Sequence, residues 1–133
     1  MQTRQIIVKE SKVQIICIHK EMVVEIPQFT HKGLFLKLAR SYSPSGMTPE
    51  ALYDATRKEW RINSKRTSEI EYVFALYNNE VVEVYKPLKW YANLETGRLM
   101  FEGELAPINI RQQYLGYHIS AVEGVRNPVI YNF

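Results

Sequence analysis

Short runs rich in valine and isoleucine open the chain. Residues 5–9 (QIIVK), 13–18 (VQIICI) and 22–26 (MVVEI) have the length and β-branched content of strands, and Pro27 ends the third. Gly33 opens another apolar run, 34–38 (LFLKL), read as a strand because a Ser-Tyr-Ser-Pro-Ser-Gly loop follows it. The periodicity then changes. Leu52, Thr56 and Trp60 recur every fourth position, which predicts a helix from Thr48 to about Trp60 with these three toward the core and Tyr53 and Arg57 on an adjacent face. Thr48 suits the N-cap and Pro49 the first helical position, with Glu50 and Asp54 near the positive end and Lys58 and Arg61 near the negative one. A further short helical turn is read over 64–69. Residues 71–77 (EYVFALY) and 81–86 (VVEVYK) flank Asn78-Asn79, a pair that tolerates the left-handed backbone of a tight hairpin. Val73, Ala75 and Tyr77 point one way and Tyr72, Phe74 and Leu76 the other, so this strand is expected to be central. Residues 98–105 (RLMFEGEL) give another strand, with Leu99, Phe101 and Leu105 on one face and Gly103 as a site of bulge or close approach. Pro107 starts a short helix to about Leu115, Gly116 stops it, and 127–133 (NPVIYNF) closes the chain as a strand.

Length and composition confine this pattern to one class. The 133 residues are expected to form a single domain, 1–133, with 46% apolar and 23% charged positions, a globular mix that excludes a disordered tail. No apolar run approaches the roughly 18 residues of a membrane span, and the charged start MQTRQIIVKESK does not read as a signal peptide. The single cysteine, Cys17, excludes an internal disulfide and points to a reducing, cytoplasmic setting. Net charge is +3, too weak by itself to demand nucleic acid. Its distribution is uneven: Arg57, Lys58, Arg61, Lys65 and Arg66 face only Glu59 within ten residues. Such a segment reads either as a phosphate-binding site or as a solvated helix end favoured by the helix dipole.

Catalytic motifs are weak. His19, His31 and His118 are far apart and one cysteine cannot build a metal cluster, so no metal or cofactor is expected. Cys17 sits in an apolar strand pattern, and no GxSxG elbow or glycine-rich phosphate loop occurs. Glu10-Ser11-Lys12 has a nuclease-like spacing without the preceding acid, and Tyr114-Leu115-Gly116 matches half of a paired nuclease tripeptide without its other half. The aromatic set carries more. Trp60, Trp90 and Tyr91 fall at predicted element ends near Arg57, Arg61, Lys86 and Lys89, a combination suited to stacking on a base and pairing with phosphate. Taken singly, each tryptophan reads more readily as a packing residue, and the cluster together less so.

The string Leu52-Tyr53-Asp54-Ala55-Thr56-Arg57 with Trp60 resembles the LYEATRxxW opening of a widespread set of small, uncharacterised bacterial proteins. The likeness continues through Ala75-Leu76-Tyr77, Val82-Glu83-Val84-Tyr85 with Trp90, Phe101-Glu102-Gly103, Ile110-Arg111, Tyr114-Leu115-Gly116 and Asn127-Pro128 with Tyr131, covering residues 47–133. This chain has Asn79 where the family has Gly and Leu115 where it has Val, and it is short between Trp90 and Phe101. The resemblance implies no established activity. The order helix, basic segment and hairpin (VFALYNNEVVEVYKPLKW) is also similar to PUA-like modules (PUA, ASCH and EVE). That likeness implies a small, partly closed β-barrel that binds RNA or a modified base.

The expectation is therefore an α+β domain: a curved, mostly antiparallel sheet or partly open β-barrel of the PUA-like kind, with one main and one short helix. The leading functional reading is a non-enzymatic binding module for RNA, DNA or a nucleotide-like small molecule, with no membrane partner and self-association left open. Arg57, Arg61 and Arg66 would hold phosphate, Trp60, Trp90 and Tyr91 would stack on a base, and Arg111 and Asn127 would donate hydrogen bonds. The alternatives are a small nucleic-acid hydrolase drawing on Glu83, Glu102 or Glu104 with Lys86, and an interaction domain that assembles through strands in 5–26.

Overall fold

A computed structural model describes residues 22–39 and 44–133. The strands read at 5–9 and 13–18 lie outside the described residues, as do Glu10, Lys12, Cys17 and His19. Six strands form one open sheet: β1 (Met22–Val23), β2 (Gly33–Lys37), β3 (Tyr72–Tyr77), β4 (Glu80–Ala92), β5 (Leu99–Leu105) and β6 (Val129–Tyr131), in the order β1-β6-β2-β3-β4-β5. Helix α1 (Pro49–Arg57) follows β2, and helix α2 (Ile108–Tyr114) follows β5.

The α+β class and the two helices match the sequence reading, but the curved antiparallel sheet or PUA-like barrel does not. The sheet is mixed and open. Strands β1/β6 and β2/β3 pair parallel, while β2/β6, β3/β4 and β4/β5 pair antiparallel, and β1 and β5 end the sheet without meeting. The physical reason lies in the link between Lys37 and Tyr72. It carries α1 across one face of the sheet, and such a crossover returns the next strand parallel to the first. Parallel strands need cover on both faces. Accordingly Leu34, Phe35 and Leu36 of β2 and Val73 to Leu76 of β3 are all fully buried.

Alternation along these strands divides the core. Phe35, Phe74, Leu76, Val84 and Ile130 face α2, which contributes Ile110 and Tyr114. Leu34, Leu36, Val73, Ala75, Tyr85 and Phe101 face α1, which contributes Leu52, Tyr53 and Ala55. The split at β3 is the one its sequence predicts. The hairpin turn also forms as read, with Asn78 and Asn79 at φ of 51° and 64°. Strand β4 runs on to Ala92, so Trp90 and Tyr91 fall within its last three residues.

Helix α1 starts where its cap predicts. The Thr48 hydroxyl accepts the Ala51 N–H at 3.1 Å, and Thr48→Ala is expected to lower stability by about 1 kcal/mol in denaturant melts. The helix stops at Arg57, three residues short of the expected Trp60, because Lys58 is extended. Trp60 instead serves the helix end. Its indole N–H donates to the Thr56 carbonyl at 2.8 Å, one of the last-turn acceptors that α-helices leave unpaired.

Candidate functional site

An open groove of about 640 Å³ separates α1 from the end of β2. It exists because of side-chain size. Met47, Ala51 and Ala55 recur on one face of the helix and its approach, and the two alanines are too small to reach the sheet beside Leu38 and Ala39. Trp60 and Pro128 complete the walls. Polar groups enter from several sides. Lys37 Nζ donates to the carbonyls of Val122 at 2.7 Å and Val125 at 2.6 Å, and burial lowers its pKa below the ordinary lysine value. Alternation along β2 puts this ammonium on the α2 face with Phe35, so Lys37 borders the groove without turning its charge into it. Lys58 Nζ lies 3.9 Å from Asp54, whose other oxygen is 3.5 Å from Arg57 Nη1. The Glu59 carboxylate accepts from Asn93 Nδ2 at 3.1 Å and from Thr96 Oγ1 at 3.4 Å, both in the turn between β4 and β5.

Of the residues singled out by sequence, Arg57, Trp60 and Tyr91 converge, and Trp90 lies beside them. They meet on the outer edge of β5. Gly103 N–H donates to the Tyr53 hydroxyl at 2.9 Å, Arg57 Nε donates to the Phe101 carbonyl at 3.0 Å, and Trp60 exchanges both backbone hydrogen bonds with Leu99 at 2.9 and 2.8 Å. Residues 99, 101 and 103 are the alternate positions whose backbone groups point away from β4. Tyr53, Arg57 and Trp60, spaced four and three apart, thus cap a sheet edge that would otherwise be open to pairing. Arg57 also binds the Tyr91 hydroxyl and is largely buried. Trp90 stands opposite Phe101 across the ladder, with ring centroids 5.3 Å apart. The segment Tyr53 to Trp60 is, in this fold, an edge clamp.

The other named residues are dispersed. Arg66 lies over the rings of Tyr131 and Phe133 at 4.1 and 4.5 Å and donates to the Phe133 carbonyl, fastening the C-terminal strand. Asn127 Oδ1 accepts the Val129 N–H at 2.9 Å, a local turn that starts β6. Arg61 is exposed and has no partner among the described residues. Glu102 and Glu104 stand opposite Lys89 and Lys86 on the exposed ladder of β4 and β5. His31 and His118 are far apart, bonded to Tyr114 and Glu123 respectively. Glu59 was missed as a groove-lining residue, and the tryptophan beside it was the available signal.

No family model matches the chain, and no curated protein or solved structure matches it either.

A smaller pocket of about 340 Å³ lies where α2 takes over from β5 at the edge of β4. Arg111 crosses to Glu83 there and donates through Nε at 2.8 Å and Nη2 at 3.0 Å. That hydrogen bond to Glu83 raises the arginine pKa further. The Glu83 carboxylate also accepts the Val84 N–H at 3.0 Å. With its charge matched inside the protein, Arg111 acts as a brace for α2. Arg111→Met strands a largely buried carboxylate and is expected to cost about 2 kcal/mol, read from urea melts. Tyr85 beside it is buried, and that burial, with Glu83 adding to it, raises its phenol pKa well above the ordinary value. The unfolded chain ionises near pH 10 while the folded phenol stays neutral, so stability is complete below about pH 10 and declines above it. Melts across pH 9–11 should show a shallower decline for Tyr85→Phe than for the wild type.

Proposed function

We propose that this protein is a binding module for a nucleotide-like small molecule, held in the groove between α1 and the end of β2. One observation carries the reading: Trp60 and Lys58 line a groove whose remaining walls are largely apolar. A groove of about 640 Å³ lies within the roughly 300–1,000 Å³ of small-ligand pockets. An aromatic wall stacks on a base, and Lys58 offsets a phosphate.

A small ligand fits better than a polymer. A nucleic-acid backbone needs a row of uncommitted cations. Arg57 and Arg66, the two ends of the basic segment, are bonded within the protein, which leaves Lys58, Arg61 and Lys65 on that stretch.

Titration of nucleoside monophosphates and short oligonucleotides, followed by calorimetry, tests the reading. Monophosphates are expected to bind at low salt. Trp60→Leu should weaken them about tenfold by removing the stacking surface. Lys58→Ala, at the exposed rim, should weaken them about threefold. If no monophosphate binds at low salt, the groove is not a nucleotide site.

A further inference from the structure

We propose that the ligand of this groove is a nucleotide whose phosphate is esterified to an apolar group, with the base at Trp60, the phosphate at Lys58 and the apolar group along Ala51 and Met47. The inference rests on the nucleotide reading above and goes on to what else the ligand carries. It stands on the order of side chains along the groove and on the balance of charge within it.

Helix α1 forms one wall, so its residues mark positions along the groove. A helix advances about 1.5 Å per residue, which puts Ala51 roughly 10 Å from Lys58. The end of the helix holds Asp54, Lys58 and the Trp60 indole, which is fixed on the Thr56 carbonyl. Its start holds Ala51, with Met47 just before it, and neither side chain carries a charge or a hydrogen-bond donor. Leu38, Ala39 and Pro128 of the other walls are apolar as well. A sugar or phosphate pushed toward the helix start would leave water without finding a side-chain partner among the described residues. An alkyl or acyl chain gains from the same transfer.

Charge points the same way. With the Lys37 ammonium turned to the other face, the described lining charges are Lys58 against Asp54 and Glu59. Lys58 is already shared with Asp54. A phosphate monoester carries about two negative charges at neutral pH. Esterification removes one of them, and the single charge that remains matches the single lysine. The added group then extends from the phosphate toward the apolar half.

The test is calorimetric titration of the full chain with AMP and with its methyl, butyl and hexyl phosphate esters. The methyl ester is expected to bind at least as tightly as AMP. The butyl ester should bind about tenfold more tightly than the methyl ester and the hexyl ester more tightly again, a fully buried methylene being worth about fourfold. Ala51→Asp, in the first turn where the helix dipole favours an acid, should abolish the gain with chain length. The methyl ester should stay within about twofold, because its phosphate lies about a Debye length away. Binding of all four with no dependence on chain length overturns the apolar half of the site and leaves the nucleotide reading standing. Absence of binding by all four overturns both. A methyl ester much weaker than AMP overturns the diester. A chain-length gain that survives in Ala51→Asp and in Met47→Ser overturns the placement at the helix start. Should Ala51→Asp fail to fold, Met47→Ser, outside the helix, decides that point alone.

Discussion

Gly103→Ala is expected to destabilise this protein by about 3 kcal/mol, more than any surface substitution. The reason is local and geometric. A Cβ at Gly103 would overlap the Lys86 carbonyl oxygen and sit 3.1 Å from Pro87 Cα, both backbone atoms of the neighbouring strand. Side chains can rotate away from an added methyl, but a paired strand cannot. Register between β4 and β5 shifts at this level, between Pro87 and Lys89, so the bulge and the glycine form one feature. Forcing the strands apart there also moves the Gly103 N–H off the Tyr53 hydroxyl and loosens the seat of α1 on the sheet edge. Urea denaturation of the alanine variant measures the loss. A change below about 1 kcal/mol would mean that the two strands separate easily and that α1 does not depend on their spacing.

Replacement of Arg57 by methionine should cost about 2–3 kcal/mol, because hydrogen bonds from a charged donor are lost and the Phe101 carbonyl is left without its partner. Methionine keeps most of the apolar stem, so the loss reports on the guanidinium. Lysine should recover part of it. An ammonium supplies a point charge rather than a planar fork and cannot reproduce the separate bonds to Phe101, Tyr91 and Asp54. Nucleotide affinity measured on the folded fraction should be unchanged in Arg57→Met. The opposite pattern, full stability with binding abolished, would return Arg57 to the ligand.

Trp60 serves three features at once. Its backbone pairs with Leu99, its indole N–H serves the end of α1, and its ring lines the groove. Thr48, the Asn78-Asn79 turn and Gly116 were legible in the sequence because each acts within a few residues of itself. A cap needs only the next turn, and a left-handed turn needs only residues that tolerate it. The edge clamp was half legible. The spacing placed Tyr53 and Arg57 on one helix face and Trp60 on an adjacent one, and it did not show that a strand edge lay beneath all three. A basic and aromatic helix has the same appearance whether it meets a phosphate or a backbone carbonyl.

Local chemistry in the sequence determined most elements and their ends, the burial of β3 on both faces, and the presence of two helices. Those properties follow from side-chain alternation and from capping residues that act over short distances. Tertiary structure alone decided that β2 and β3 run parallel in an open mixed sheet, that Arg57, Arg66 and Arg111 spend their donors inside the protein, and that Lys37, Lys58, Glu59 and Trp60 border one groove. Each depends on how far apart in space the crossover of α1 leaves segments that are distant in sequence. Charge and aromatic content state what a side chain can bind, and only the packing of the chain determines whether a partner within the protein has already taken it.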